Sequence, residues 1–234
     1  MSSDRDEAAL HAEISPAALA DSTPTSRRGG RPSRADAEQL GERILDVATD
    51  LFLTHGYGAT SIEAIAQRAQ ISKRTFYHRF DDKAVLFSAV VHRIIDRLRP
   101  PADVPLVEGA NLQEVLQRLA SIILRAALTP QAIALHRLIV AESGRFPHLA
   151  AVVAQPGATD EAIRLIASVL EGGIRAGSIA LGDPIFAAQQ FLHMVVAVPQ
   201  RRAMGLGSPM SACEIEAWPR AVVELFLDGC RGHR

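Results

Sequence analysis

Apolar residues return every three or four positions along most of this chain, with polar residues on the far side of each turn, so the pattern is helical from Leu40 to Phe226. No stretch alternates with the period of two that a half-buried strand requires. An opening helix over 37–55 has Leu40, Ile44, Val47, Ala48, Leu51 and Phe52 as its apolar stripe, with Gly56 placed to end it. Thr60 followed by Glu63 has capping-box spacing, and Ile62, Ile65, Ala66 and Ala69 mark one face of a second, short helix. Gln70 and Ile71 make a turn, and Ser72 is placed to accept the free amide hydrogens of a third helix. Phe76 and Phe80 put two rings one turn apart on the buried side of that helix. Two short capped helices across a tight turn are a helix-turn-helix.

Asp81 or Asp82 can cap a fourth helix, over 82–99, whose Leu86, Phe87, Val90, Val91, Ile94, Ile95 and Leu98 form an apolar surface wide enough for two neighbours. It bridges two domains, and Pro100 and Pro101 lead from it into a loop that runs to Gly109. Asn111 with Glu114 opens a helix to Leu128, and another runs from Pro130 to Glu142. A short helix follows Phe146 and Pro147, a longer one spans 160–176, the next starts at Asp183–Pro184 and runs toward Arg202, and the last begins at Ser211 with Glu214 in capping-box spacing. Pro199 and Pro219 should kink or end those two. The fold expected is all-α.

At about 100° per residue, a helix that buries Phe76 and Phe80 turns Arg74 and His78 outward, with Lys73, Thr75 and Tyr77 on the flanks. That face offers cations for guanine edges or phosphates, a hydroxyl, and a ring that can touch a thymine methyl. Arg79 adds a further cation. Lys83 falls in the first turn of the fourth helix, where a cation opposes the helix dipole and a phosphate partner would resolve the conflict. Any one of these charges alone is an ordinary surface residue; at this spacing they favour DNA.

The segment 39–91 resembles the N-terminal domain of TetR-family transcriptional regulators through Phe52, Gly56, Thr60, Ser61, Ile65, Ala66, Ile71, Ser72, Thr75, Tyr77, Phe80 and Lys83. It departs at Gln70, where a small residue is usual, and at Arg74, where Gly is frequent. The stretch from His136 to Ala150 and the closing 222–229 resemble the AefR-like subgroup. The resemblance implies a three-helix helix-turn-helix domain over 36–82 and a larger helical ligand-binding and dimerisation domain over 83–234. Thr60, Ser61, Lys73, Arg74, Thr75, Tyr77, His78, Arg79 and Lys83 are then the expected DNA contacts. It also implies a homodimer on a palindromic operator of double-stranded DNA, joined through Phe186, Ala187, Gln190, Phe191, Met194, Val195, Val222, Leu225 and Phe226. A small-molecule effector would occupy a largely apolar pocket between the fourth helix and those over 112–176. Its polar candidates are His136, Arg137, His148, Arg164, Gln190 and His193, while Glu142 and Arg145 are expected to pair with each other or cap backbone groups.

Composition narrows the alternatives. With 234 residues and 48% hydrophobic residues, the chain can bury a sizeable core. Its net charge of −1 hides a division, since residues 1–26 are acidic and the stretch from Arg27 to Arg99 has a basic excess. The only two lysines, Lys73 and Lys83, both fall in the helix-turn-helix. Residues 1–35 lack periodicity and read as a flexible tail ending in a basic arm. Within it, Arg27, Arg28, Arg31 and Arg34 either enter a minor groove or merely solubilise the chain. Cys213 and Cys230 are too few and too distant for a disulfide framework or zinc site, and no metal or cofactor is expected. No apolar run is long enough to span a bilayer and no secretory signal opens the chain, so the expectation is a cytoplasmic protein. An enzyme is disfavoured by the lack of a nucleophile elbow, a phosphate loop or a metal-ligand pair. A DNA-binding protein whose C-terminal half docks a protein partner is the remaining alternative.

Overall fold

The computed structural model describes residues 34–100, 111–153 and 158–230, and these are helical without strands. In chain order the helices are α1 (Arg34–His55), α2 (Ile62–Arg68), α3 (Lys73–Tyr77), α4 (Lys83–Leu98) and α5 (Leu112–Ala127). They continue as α6 (Pro130–Glu142), α7 (Pro147–Val153), α8 (Ala158–Arg175), α9 (Pro184–Ala203) and α10 (Ala212–Cys230). Short polar side chains set many of the starts: Ser61, Ser72, Asp82, Asn111, Thr129 and Asp183 each accept a backbone N–H from the first turn of the helix they cap. At α10 the box is reciprocal, with Ser211 N–H donating to Glu214 at 2.7 Å and Glu214 N–H to the Ser211 hydroxyl at 3.2 Å. α1 begins at Arg34, inside the stretch expected to be tail, where the Arg34 guanidinium pairs with Glu38 at 3.0 Å.

Both prolines expected to interrupt the last helices lie inside them, and α9 and α10 run on. Pro199 cannot donate to the carbonyl four residues back, that of Val195. The indole N–H of Trp218 on α10 donates to that carbonyl at 2.9 Å, so the acceptor is satisfied from the neighbouring helix.

Two cores result. One gathers Ile44, Phe52, Ile65, Phe76, Phe87 and Val90 from α1–α4, and it continues into Leu135 and Leu138 of α6 and Leu149 of α7. The other is built by α5, α8, α9 and α10, with Leu116, Ile166, Leu170, Phe191, Val195 and Val223 at its centre. The first core therefore does not stop at residue 82, because α6 packs on α1 and α4 and α7 packs on α4. Arg93 of α4, 12% exposed, fastens α1 to α4 through Asp46 at 2.8 Å, Glu42 at 3.1 Å and the Thr49 hydroxyl at 3.0 Å. Among the described residues no single helix is long and apolar enough to cross a membrane.

Candidate nucleic-acid interface and effector cavity

The reading head is α2, a turn, and α3. Gln70 holds that turn at φ 56, in the left-handed region that favours glycine, which accounts for the small residue usual at this point. Ser72 accepts from Thr75 N–H at 3.0 Å and shares a 2.8 Å contact with its hydroxyl, while Phe76 is buried beneath. Arg74, Tyr77 and His78 face solvent, Tyr77 at 52% exposure, so the outward face anticipated from helical spacing is present. Lys73 is exposed too, paired with Glu63 of α2 in an ion pair that lowers the Glu63 pKa and raises that of Lys73, chiefly by their mutual hydrogen bond. The Arg79 guanidinium lies on Gly41 of α1, where an added Cβ would come within 2.5 Å of it. Ser61 is exposed at the start of α2, with its hydroxyl accepting from Ala64 N–H at 3.1 Å.

Two expected contacts turn inward. Thr60 is 3% exposed and donates its hydroxyl to the carbonyls of Gly56 at 2.7 Å and Leu51 at 3.2 Å, so Ser61, not Thr60, caps α2. Lys83 donates to the carbonyls of Tyr57 at 2.8 Å and Thr60 at 2.9 Å, with its ammonium 4.3 Å from the Tyr57 ring centroid. Those carbonyls supply the negative partner that the dipole argument left to a phosphate. Burial lowers the pKa of Lys83, aided by Arg145 and opposed by Glu142.

The same loop is held from the far side by the α6–α7 corner. Glu142 accepts from Gly58 N–H at 3.1 Å, across a sequence separation of 84 residues. His148 meets the Tyr57 hydroxyl at 3.1 Å, and the Phe146 ring stands edge-on to Tyr57 at 5.0 Å. Burial, then Asp82, raises the pKa of Tyr57. Gly56, at φ +87, would direct a Cβ to within 2.6 Å of the Glu142 carboxylate. Glu142 thus does cap a backbone group, as expected, though one in the loop that precedes the reading head; Arg145 stacks on Phe146 at 5.2 Å instead of pairing with Glu142.

A cavity of about 660 Å³ opens between the C-terminal end of α4 and helices α5, α8 and α9, with His136 of α6 also on its wall. Of the polar candidates, His136 and His193 line it. Arg137 is exposed elsewhere on α6, Arg164 donates to its own helix at Asp160 O (3.3 Å), Gln190 is exposed outside the lining, and His148 belongs to the loop clamp. Arg99, Glu161, Gln200 and Arg201 are lining residues that helical spacing alone did not single out. Among the described residues no cluster of His, Cys, Asp or Glu is suited to a metal ion. Arg27, Arg28 and Arg31 lie outside the described residues.

The expected dimer residues divide. Phe186 at 58% exposure, Leu225 at 67% and Gln190 face solvent, and Met194 is half-buried. Ala187, Phe191, Val195, Val222 and Phe226 belong to the protomer's own core, with the Phe191 and Phe226 rings 5.0 Å apart.

Known proteins carry both halves of this arrangement. Residues 44–90 match the bacterial regulatory proteins of the tetR family, and residues 114–229 match the C-terminal domain of AefR-like transcriptional repressors. A TetR-family regulator from Mesorhizobium loti MAFF303099 is 30% identical and superposes with a TM-score of 0.70, over 86% of this chain and 100% of that one. The flavonoid-responsive regulator FrrA is 33% identical with a TM-score of 0.70, over 84% of this chain and 100% of its own. The HTH-type transcriptional regulator YhgD of Bacillus subtilis is 27% identical over 155 residues, 66% of this chain and 80% of YhgD. All are regulators of transcription and none is an enzyme.

Proposed function

The chain belongs to the TetR family of transcriptional regulators, and from that membership we propose that it is a cytoplasmic repressor that binds a palindromic operator as a homodimer and releases it when a small, largely apolar effector fills the cavity. One observation carries the regulatory part. α4 starts at Lys83, on the loop that precedes the helix-turn-helix, and ends at Leu98, Arg99 and Pro100 in the cavity wall. A ligand that displaces the far end of this rod repositions the reading head at the near end. Coupling of about 1 to 3 kcal/mol is enough for a several-fold to hundredfold loss of operator affinity.

The exposed apolar side chains Phe186 on α9 and Leu225 on α10 support dimerisation, which sets two α3 helices a DNA turn apart. The cavity favours a small molecule over a docked protein as the signal. The test is to select bound DNA from a random pool, then screen compounds for release, beginning with flavonoids because a 33% identical relative responds to them. Linkage fixes the outcome for a true effector: operator must weaken its binding by the same factor by which it weakens operator binding. A compound that fills the cavity without changing operator affinity is not the inducer.

A further inference from the structure

The cavity is chemically polarised. Its walls are largely aliphatic, with Leu119, Ile122, Ile123, Leu165, Leu192 and Val196 contributing, and among the described residues no Phe, Tyr or Trp lines it. Charged groups come from one region, where the C-terminal ends of α4 and α9 meet the first turn of α8: Arg99, Glu161 and Arg201. Glu161 is already engaged, accepting from Arg99 at 2.9 Å, and Arg99 also faces Asp96 at 3.5 Å. Arg201 differs, since its carbonyl accepts from Leu206 N–H at 3.0 Å but its guanidinium makes no ion pair or hydrogen bond among the described residues.

An aliphatic chamber with an unmatched guanidinium selects its guest by elimination. A cationic head would meet two arginines and a carboxylate that is not free. A flat aromatic guest would lie against branched aliphatic side chains over most of the wall, with the imidazoles of His136 and His193 the only aromatic rings among the described lining residues. A neutral alcohol would fill the chamber but leave Arg201 without a charged partner, whereas a carboxylate fits its planar fork with two parallel hydrogen bonds. We propose that the effector is an aliphatic monocarboxylic acid whose chain lies among these walls and whose carboxylate pairs with Arg201. The proposal rests on reading the cavity as the effector site.

Decanoic acid, decan-1-ol, decylamine and the flavonoid naringenin provide the test, each titrated into the full-length protein. The readout is the fluorescence of Trp218, the lone tryptophan, which donates to Val195 O beside the lining residue Val196. Decanoate is expected to bind about tenfold more tightly than decanol, the factor a charge-assisted pair commonly contributes. Arg201→Met, which keeps an unbranched chain at an exposed position, should remove that preference by lowering decanoate affinity to or below that of decanol. Equal binding of acid and alcohol, tighter binding of the amine or the flavonoid, or a preference that survives Arg201→Met overturns the proposal. The underlying reading fails separately. If decanoate binds through Arg201 yet leaves operator affinity intact, the ligand class stands and the effector site does not. Should decanol or naringenin release operator where decanoate cannot, the effector site stands and the class is wrong. Binding of none of the four overturns both.

Discussion

Gln70 stands at φ 56, a conformation that costs a residue with a side chain about 1 kcal/mol. Replacing it with glycine should therefore raise the unfolding free energy by up to about 1 kcal/mol in denaturant titration, and a loss of stability would show that the side chain holds something the backbone does not. Lys83 is the opposite case, a charged side chain that anchors backbone. Lys83→Met strands the Tyr57 and Thr60 carbonyls and should destabilise the protein by about 1 to 3 kcal/mol while weakening every DNA sequence alike. Unchanged stability would refute the anchoring role. Arg74→Ala should instead relax base preference by about 1 to 3 kcal/mol at the positions it reads, seen by comparing matched and mismatched sites. The inward turn of Thr60 and Lys83 was not legible in the sequence. Helical spacing orients side chains on a helix, but Thr60 sits in the loop before α2 and the partners of Lys83 lie 23 and 26 residues away. Arg74, Tyr77 and His78 were legible because Phe76 and Phe80 on the same turns fix which side is buried.

Within elements, period and caps carried the assignment: Ser72, Asn111, Asp183 and Ser211 start helices where their hydrogen-bonding chemistry says they should. Pro199 misled, because its cost falls on one carbonyl and Trp218 relieves it from another helix. Trp218→Phe removes that donor and trims the indole to a phenyl ring, so it should cost at least about 1 kcal/mol in thermal unfolding; no change would mean that the Val195 carbonyl finds water instead. The α6–α7 corner was the least visible element interaction, since Glu142 serves a backbone N–H far away in sequence. Glu142→Ala should loosen the loop between α1 and α2, lowering operator affinity several-fold at unchanged helicity measured by circular dichroism. Operator affinity equal to that of the parent protein would reduce the clamp to a packing contact. α4 and α6 both run from the cavity to this loop, so the reading head is held by two rods from the same chamber.

For the whole molecule, the exposed apolar side chains on α9 and α10 make the oligomeric state testable. Phe186→Asp with Leu225→Glu removes exposed apolar surface from α9 and α10 without touching either core, and sedimentation should then report a monomer with intact helicity. A dimer that persists would move the interface elsewhere. The central claim, however, is that the outward face of α3 reads a specific duplex. Selection of bound sequences from a random DNA pool by the full-length protein, followed by titration of the enriched site at increasing salt, addresses it most directly. The account predicts a two-fold symmetric consensus, binding that weakens steeply as salt displaces the phosphate contacts of the cationic face, and loss of the consensus in Arg74→Ala. Recovery of no sequence above the random pool, or an enriched site bound equally well by Arg74→Ala, would contradict it.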